Sequence, residues 1–191
     1  MSKRRSFLDR VKDSLSNVRK AARTTSSALK WFREFVLANL RRGGPPPPTD
    51  ELIGRLYFFS YDPKHKKTLP YYDEFPLAFI MDVREDSFLS LNLHYLDPAL
   101  RAQLMDVLIR IRDRAGDKKR YTLVSYSVLK AAARHELFAP CVKMHLYSHI
   151  RSRLVKVDDE WWHPATLLPV HRFKKASARE VWRDSRRRAS K

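Results

Sequence analysis

The chain has 191 residues, which is enough for one globular domain with appendages and too few for two full cores. Hydrophobic residues make up 43% of it, which excludes a wholly disordered protein, and the formal net charge of +18 predicts a polyanionic partner such as a phosphate backbone or an anionic membrane surface. The lone Cys141 excludes an intramolecular disulfide, and no apolar run approaches the roughly 20 residues that a membrane span needs.

The positive charge is concentrated at the two ends of the chain. Residues 1–44 contain 12 Lys and Arg against 3 Asp and Glu, and residues 171–191 contain 9 against 2, which leaves a net charge of +2 for residues 45–170. This distribution predicts a nearly neutral core with two basic arms that contact an anion. The alternative is that both charged runs are only solvated faces.

Residues 1–44 are predicted to form a basic, amphipathic helical arm. Their apolar residues recur at steps of three and four, first from Phe7 to Ala22 and again from Leu29 to Leu40. Gly43 and Gly44 end the pattern, and the proline-rich residues 45–50 form a linker. Such helices lie on anionic lipid, dock in a partner's groove, or pack on a core while the basic face meets nucleic acid, and packing within the protein itself is a further alternative.

The core is predicted to begin with an aromatic-rich strand at residues 56–61, followed by an exposed basic loop at residues 64–67 and a rigid extended segment at residues 69–73. Two more strands are expected at residues 77–83 and 88–93, joined by the polar turn 84–86. This order favours a small antiparallel sheet or a partly open barrel.

Helices are expected in the second half of the chain. Asp97 and Pro98 have the pattern of an N-cap and a first helical residue, and Leu100, Leu104, Leu108 and Ile111 would line one face of the helix. A second helical region is predicted over residues 127–152, with a break at Pro140. Residues 154–157 and 165–168 are expected to return to the sheet, and a basic helix is predicted from about Ala176.

The fold class is therefore α+β, with a small antiparallel sheet packed against helices, a helical basic N-terminal arm and a basic C-terminal helix. The predicted divisions are the arm at residues 1–44, the linker at 45–50, the core domain at 51–173 and the basic C-terminal helix and tail at 174–191.

Four segments of the core resemble a family of small virion proteins of contractile-tailed bacteriophages, some of which are described as DNA end protectors. The segments are residues 57–63 (YFFSYDP), 69–77 (LPYYDEFPL), 87–96 (SFLSLNLHYL) and 167–173 (LLPVHRF). The resemblance covers roughly residues 55–188 and leaves the first 44 residues outside it. Ser87 and Ser90 stand where the family pattern has glycines, which reduces local flexibility without affecting the fold prediction.

The resemblance and the charged termini together imply a phage virion structural protein that binds DNA or an acidic assembly surface through its arms, with the DNA end or portal as the candidate position. Its expected partners are other virion proteins and DNA, with oligomerisation inside the particle left open, and its expected location is the virion, after synthesis in the host cytoplasm. The alternative is a neck, tail or baseplate subunit with no nucleic-acid role. A membrane-active helix within residues 5–40 is a third hypothesis.

Phosphate contacts are expected from the basic residues of both arms, without readout of sequence. These residues are Arg4, Arg5, Arg19, Lys20, Arg23, Arg41, Arg42, Lys174, Lys175, Arg179, Arg186, Arg187 and Arg188. A possible interface is formed by aromatic residues that either stack on bases or pack in the core, namely Tyr71, Tyr72, Trp161 and Trp162.

No enzymatic activity, cofactor, metal or small-molecule substrate is predicted. The chain has four glycines, none of them in a phosphate-cradling loop, and it lacks a Gly-x-Ser-x-Gly motif. Cys141, His145 and His149 would share one face of a helix, but a structural zinc site needs a fourth ligand. A nuclease site would require convergence of acidic residues with a lysine, which their spacing does not demand. The candidates for it are Asp62, Asp73, Glu74 and Asp82 with Lys64 or Lys66.

Overall fold

The structure is a computed structural model, and it describes residues 52–115, 127, 129–131, 133–134, 136, 138–158 and 161–189. The predicted N-terminal arm and linker, residues 1–50, lie outside the described residues. No helix in the described ranges is long and apolar enough to cross a membrane.

The core is a five-stranded antiparallel sheet with the strand order β5-β4-β3-β1-β6, accompanied by a separate two-stranded sheet of β2 and β7. The strands are β1 Leu56–Phe58, β2 Tyr72–Asp73, β3 Leu77–Val83, β4 Ser87–Asn92, β5 Val142–Leu146, β6 Val155–Val157 and β7 Phe173–Lys174. The predicted antiparallel sheet is confirmed. It is open, with β5 and β6 at its edges, and does not close into a barrel.

Alternating side chains of the strands bury both faces of the large sheet. Leu56, Phe58 and Phe79 belong to one apolar cluster, which the helices cover, while Tyr57 and Phe59 belong to a second cluster on the opposite face. Successive side chains of a strand point to opposite faces, so an almost continuous apolar run such as residues 56–59 is what a strand buried on both sides requires.

The described helices are α1 Pro98–Ala115, α2 Trp162–Leu167 and α3 Ala178–Ala189. The predicted N-cap of α1 is confirmed, because Asp97 Oδ1 accepts hydrogen bonds from the backbone N–H groups of Ala99 at 3.0 Å and Leu100 at 3.1 Å. The side chains of Leu108 and Ile111 lie outside the described part of the chain.

Helix α3 begins with a capping box. Glu180 Oε2 accepts a hydrogen bond from the Ser177 N–H at 2.7 Å, and the Glu180 N–H donates to Ser177 Oγ at 3.3 Å. Val181 in the next turn is fully buried in the main apolar cluster. The C-terminal helix is therefore anchored to the core by an apolar residue as well as by its cap.

Two predictions of secondary structure were wrong. Residues 142–146 were assigned to a helix but form β5, which pairs with β4 through Leu91, Ser90, Leu89, Phe88 and Ser87. Residues 165–168 were assigned to the sheet, but Ala165 lies in α2 and is buried against the core. Short apolar runs fit both the helical and the extended period, and pairing with a strand about 50 residues away decides between them.

Replacing Val181 by alanine should lower the free energy of unfolding by about 2 kcal/mol, because two buried methyl groups are lost and a cavity remains. Val107→Ala in α1 is the matched control, since this valine is also helical but 43% exposed; its effect should stay below about 0.5 kcal/mol. Urea unfolding of the full chain measures both. Equal effects of the two substitutions would contradict the packing of α3 on the core.

Candidate nucleic-acid interface

A cavity of about 430 Å³ lies between the loop after β1, the segment that enters β2, and strand β5. We call it the tyrosine cavity, because four tyrosines contribute to a lining that is mostly apolar. The lining residues are Tyr61, Pro63, Lys64, His65, Leu69, Tyr71, Tyr72, Asp73, Asn92, Tyr95, Lys143, Met144, His145 and Leu146. Its volume falls within the range of roughly 300–1,000 Å³ that is usual for ligand sites.

One wall of the cavity is positioned by a buried carboxylate. Asp73 is 3% exposed, and its oxygens accept hydrogen bonds from the N–H groups of Phe75 at 3.1 Å and Arg172 at 3.2 Å, from Asn92 Nδ2 at 3.2 Å and from His94 Nδ1 at 2.7 Å. Three separate segments of the chain therefore meet at Asp73. This interaction holds the small sheet, and with it Tyr71 and Tyr72, against the large sheet.

The charge state of this pair follows from burial and from the number of donors. Burial would raise the pKa of the Asp73 carboxyl group, but His94 and the surrounding hydrogen bonds outweigh burial and lower it. Burial lowers the pKa of His94 despite the neighbouring carboxylate. We conclude that a neutral His94 donates its Nδ1–H to an ionised Asp73, while Trp182 Nε1 donates to the His94 carbonyl oxygen at 2.8 Å.

Tyr71 connects the cavity to the C-terminal helix. Its hydroxyl donates a hydrogen bond to Asp184 Oδ2, and burial together with this bond raises the pKa of Tyr71 to about 12. Asp184 also forms ion pairs with Arg187 at 2.8 Å and Arg188 at 3.0 Å. The two arginines are therefore linked through Asp184 to Tyr71, one of the residues that line the cavity.

Lys143 on β5 supplies a positive charge within the cavity wall. Its Nζ lies 4.2 Å from the centroid of the Tyr95 ring, a cation–π distance. Within the described ranges, no carboxylate oxygen lies within 4 Å of this ammonium group. Burial lowers the pKa of Lys143, which shows that water only partly solvates the charge.

The basic loop at the cavity lip is fixed by Lys175. This lysine has a left-handed backbone with φ of 66°, a conformation that costs a non-glycine residue energy. Its Nζ donates hydrogen bonds to the carbonyl oxygens of Lys67 at 2.8 Å and Leu69 at 2.9 Å. Lys64 and His65 of the same loop are exposed and line the cavity.

The predicted C-terminal phosphate-binding residues are all exposed, and several of them form ion pairs. Lys174 contacts Glu74 at 3.4 Å and Arg186 contacts Asp97 at 3.3 Å, while Lys175, Arg187 and Arg188 have the partners given above. Arg179 is exposed near the start of α3. Exposed pairs of this kind are weak and exchange partners readily, so the structure leaves these side chains accessible to an anion.

The other predicted site residues are placed as follows. The seven N-terminal residues Arg4, Arg5, Arg19, Lys20, Arg23, Arg41 and Arg42 lie outside the described residues. Tyr71 and Tyr72 are half-buried in the cavity wall. Trp162 is buried against Phe79, with ring centroids 5.0 Å apart, and the half-buried Trp161 packs against the same cluster.

The residues weighed for zinc do not come together. Cys141 and His145 are buried in different clusters, and His149 Nδ1 contacts the Asp62 carbonyl oxygen at 2.7 Å. Of the nuclease candidates, Asp73 is buried, while Asp62, Glu74 and Asp82 form ion pairs with nearby basic residues. No group of three His, Cys, Asp or Glu side chains suited to a metal ion occurs among the described residues.

Sequence reasoning missed Lys64, His65 and Lys143 as site residues. Lys64 was considered only for the exposed loop and for a nuclease site, and His65 only for the loop, while Lys143 was hidden by the incorrect helix over residues 142–146. The signal that was present is the cluster of three lysines in residues 64–67, next to the tyrosines at 71 and 72. Aromatic residues interleaved with basic ones are typical of nucleic-acid surfaces.

Comparison with protein families identifies the family of the chain. A family described as the phage T4 terminal DNA protecting protein matches residues 3–185. The chain belongs to this family. The resemblance to phage DNA end protectors is thereby confirmed, but its limits were wrong, because the terminal DNA protecting family extends over the first 44 residues as well. The comparisons with curated proteins and with solved structures found no match.

Ser87 and Ser90 of strand β4 both make side-chain polar contacts. Ser90 is fully buried in β4, and its hydroxyl lies 3.1 Å from His145 Nδ1. Ser87 Oγ donates a hydrogen bond to Asp86 Oδ1 at 2.8 Å. The Ser90 side chain therefore joins β4 to β5, whereas Ser87 contacts only its neighbour in the chain.

Stability should fall as the pH drops below about 6.5, because burial lowers the pKa of His145 to about 3. Between pH 6.5 and pH 3 the histidine binds a proton in the unfolded chain but stays neutral in the folded protein. The contribution of neutral His145 to the free energy of unfolding is therefore present above pH 6.5 and is lost progressively towards pH 3, at up to about 1.4 kcal/mol per pH unit. Urea unfolding at pH 7, 6, 5 and 4 measures it. His145→Phe should show a shallower pH slope than the unmodified chain, and an unchanged slope would contradict the assignment.

Proposed function

We propose that the protein is a virion component that binds the ends of the phage's linear DNA and shields them by occupying them. The observation that carries this proposal is the family match over residues 3–185, since the family is described by protection of terminal DNA. The net charge of +18 supports it, because such a field attracts phosphate backbones over long range.

The affinity for DNA is proposed to come from contacts between basic side chains and the phosphate backbone. The basic arms at residues 1–44 and 174–191 are proposed to neutralise phosphates without reading sequence. In the described part of the chain, the supporting geometry is that Lys64 and Lys143 line the tyrosine cavity, while Arg188 pairs with Asp184, which binds the hydroxyl of the cavity residue Tyr71. No turnover is proposed, because an occupied end is already inaccessible to an exonuclease.

Purified full-length protein should protect a linear duplex from a processive exonuclease in proportion to its occupancy of the ends. The measurement is the surviving fraction of end-labelled linear DNA over a protein titration. Affinity for a relaxed, covalently closed circle of the same sequence provides the control, and it should be lower because a closed circle offers no end. Lack of protection at saturating protein would overturn the proposal and favour a neck, tail or baseplate subunit with no nucleic-acid role.

Neutralising Arg187 and Arg188 together should weaken DNA binding and make it less sensitive to salt. Each phosphate contact contributes a slope of about −0.9 in a plot of log K against log salt, so loss of two contacts should reduce the slope by about 1.8. The matched control is Arg84→Gln with Lys156→Gln, which removes the same charge from the β3–β4 turn and from edge strand β6. Equal losses in both double variants would show that only total charge matters.

These residues are best tested by substitution in the full chain. Deleting residues 171–191 would also remove Val181 from the core and Trp182 from its hydrogen bond to His94. A loss of DNA binding on truncation would then report unfolding as readily as loss of phosphate contacts. Substitution of exposed arginines avoids this ambiguity.

A further inference from the structure

The tyrosine cavity has a property that backbone binding alone does not use, namely flat aromatic walls. Tyr71 and Tyr72 are half-buried and line the cavity next to Tyr61 and Tyr95. Phosphate contacts need exposed cations and no concavity. A mostly apolar cavity with aromatic walls is instead suited to a planar ring, because stacking on aromatic side chains contributes binding energy for every base.

The same cavity favours a ligand that also carries negative charge. Lys143 lies in the wall without a carboxylate partner among the described residues, at 4.2 Å from the Tyr95 ring. Lys64 also lines the cavity, and Arg188 pairs with Asp184, which accepts a hydrogen bond from the cavity residue Tyr71. A partly desolvated cation of this kind favours a phosphate oxygen as its missing partner.

A planar ring attached to a phosphate is a nucleotide, and the volume of about 430 Å³ is of the order that one nucleotide fills. Bases inside a duplex are paired and stacked, so they would have to be extruded at a cost of a few kcal/mol each. An unpaired nucleotide at a DNA end escapes most of that cost. The cavity is therefore suited to an end and unsuited to the interior of a duplex.

We propose that the tyrosine cavity takes the unpaired terminal nucleotide of a DNA end, with its base against Tyr72 and its phosphate at Lys143. This inference rests on the proposed function and deepens it, because it identifies the part of the protein that distinguishes an end from the rest of the duplex. The arms and the remaining cations then supply affinity that is independent of the base.

The test compares short duplexes that are closed by a hairpin at one end and carry a one-nucleotide overhang at the other. In one duplex the overhanging nucleotide has its base, and in the second it is abasic, so the phosphates are identical. Affinities of the full-length protein are measured at fixed salt by fluorescence anisotropy. The unmodified protein should bind the overhang with its base about tenfold more tightly than the abasic overhang, a ratio that we call the base ratio.

Substitutions at Tyr72 test the stacking wall. Tyr72→Ala should reduce the base ratio towards one, whereas Tyr72→Phe keeps the aromatic ring and should preserve most of it. Circular dichroism and thermal unfolding of both variants establish that the fold is intact. A base ratio in Tyr72→Ala that equals that of the unmodified protein would overturn the placement of the base.

Substitution at Lys143 tests the phosphate contact. Lys143→Gln keeps much of the stem over Tyr95 but removes the charge, so it should weaken binding of both duplexes several-fold. Lys156→Gln is its matched control, because Lys156 lies on edge strand β6 and is paired with Asp158 at 2.9 Å; it should change neither affinity by more than the measurement error. Equal effects of the two lysine substitutions would overturn the placement of the phosphate.

The outcomes separate this inference from the proposed function. If the unmodified protein protects linear DNA but shows a base ratio of one, the cavity assignment is wrong and the end-binding role stands. If the protein binds no duplex at all, both are wrong. If the cavity instead serves an acidic peptide of another virion protein, Lys143→Gln should weaken the binding of poly-glutamate but leave the affinity of both duplexes unchanged, which would also overturn the inference.

Discussion

The architecture around the cavity depends on the burial of one carboxylate, that of Asp73. A buried charge is costly unless it is paired and hydrogen-bonded, and Asp73 meets that condition only when Phe75, Asn92, His94 and Arg172 are all in place. The hydrogen bonds of Asp73 therefore connect three features: the docking of the small sheet, the position of the Tyr71–Tyr72 segment and the position of Arg172. The cavity exists because this charge has been satisfied.

Helix α3 both packs on the core and carries basic residues to the surface. Its apolar side supplies Val181 to the core, while its last turn carries three consecutive arginines at residues 186–188. Asp184 pairs with two of them and also accepts the Tyr71 hydroxyl hydrogen bond. The basic C-terminal helix is thereby connected to the cavity residue Tyr71. Part of the positive charge that would attract DNA is therefore located near the cavity.

The elements that could be predicted from sequence are those with a strong local signal. Strand β3 was predicted at residues 77–83 and lies there, and the N-cap at Asp97 was predicted from the Asp-Pro pair. Strand β5 could not be predicted, because Val142–Leu146 is a short run whose partner, β4, is distant along the chain. The same error concealed Lys143, so the candidate site was recovered only in part, through Tyr71 and Tyr72.

The sequence by itself determined the α+β class, the charged termini and the relationship to phage DNA end protectors. Hydrophobic periodicity, charge and short motifs are local properties that can be read without knowing the fold. Only the tertiary structure decided that Lys64, His65 and Lys143 line one cavity and that α3 contacts its residue Tyr71 through Asp184. These segments are separated by many tens of residues. Their proximity follows from strand pairing and from the hydrogen bonds of Asp73, which are interactions between segments that no local pattern specifies.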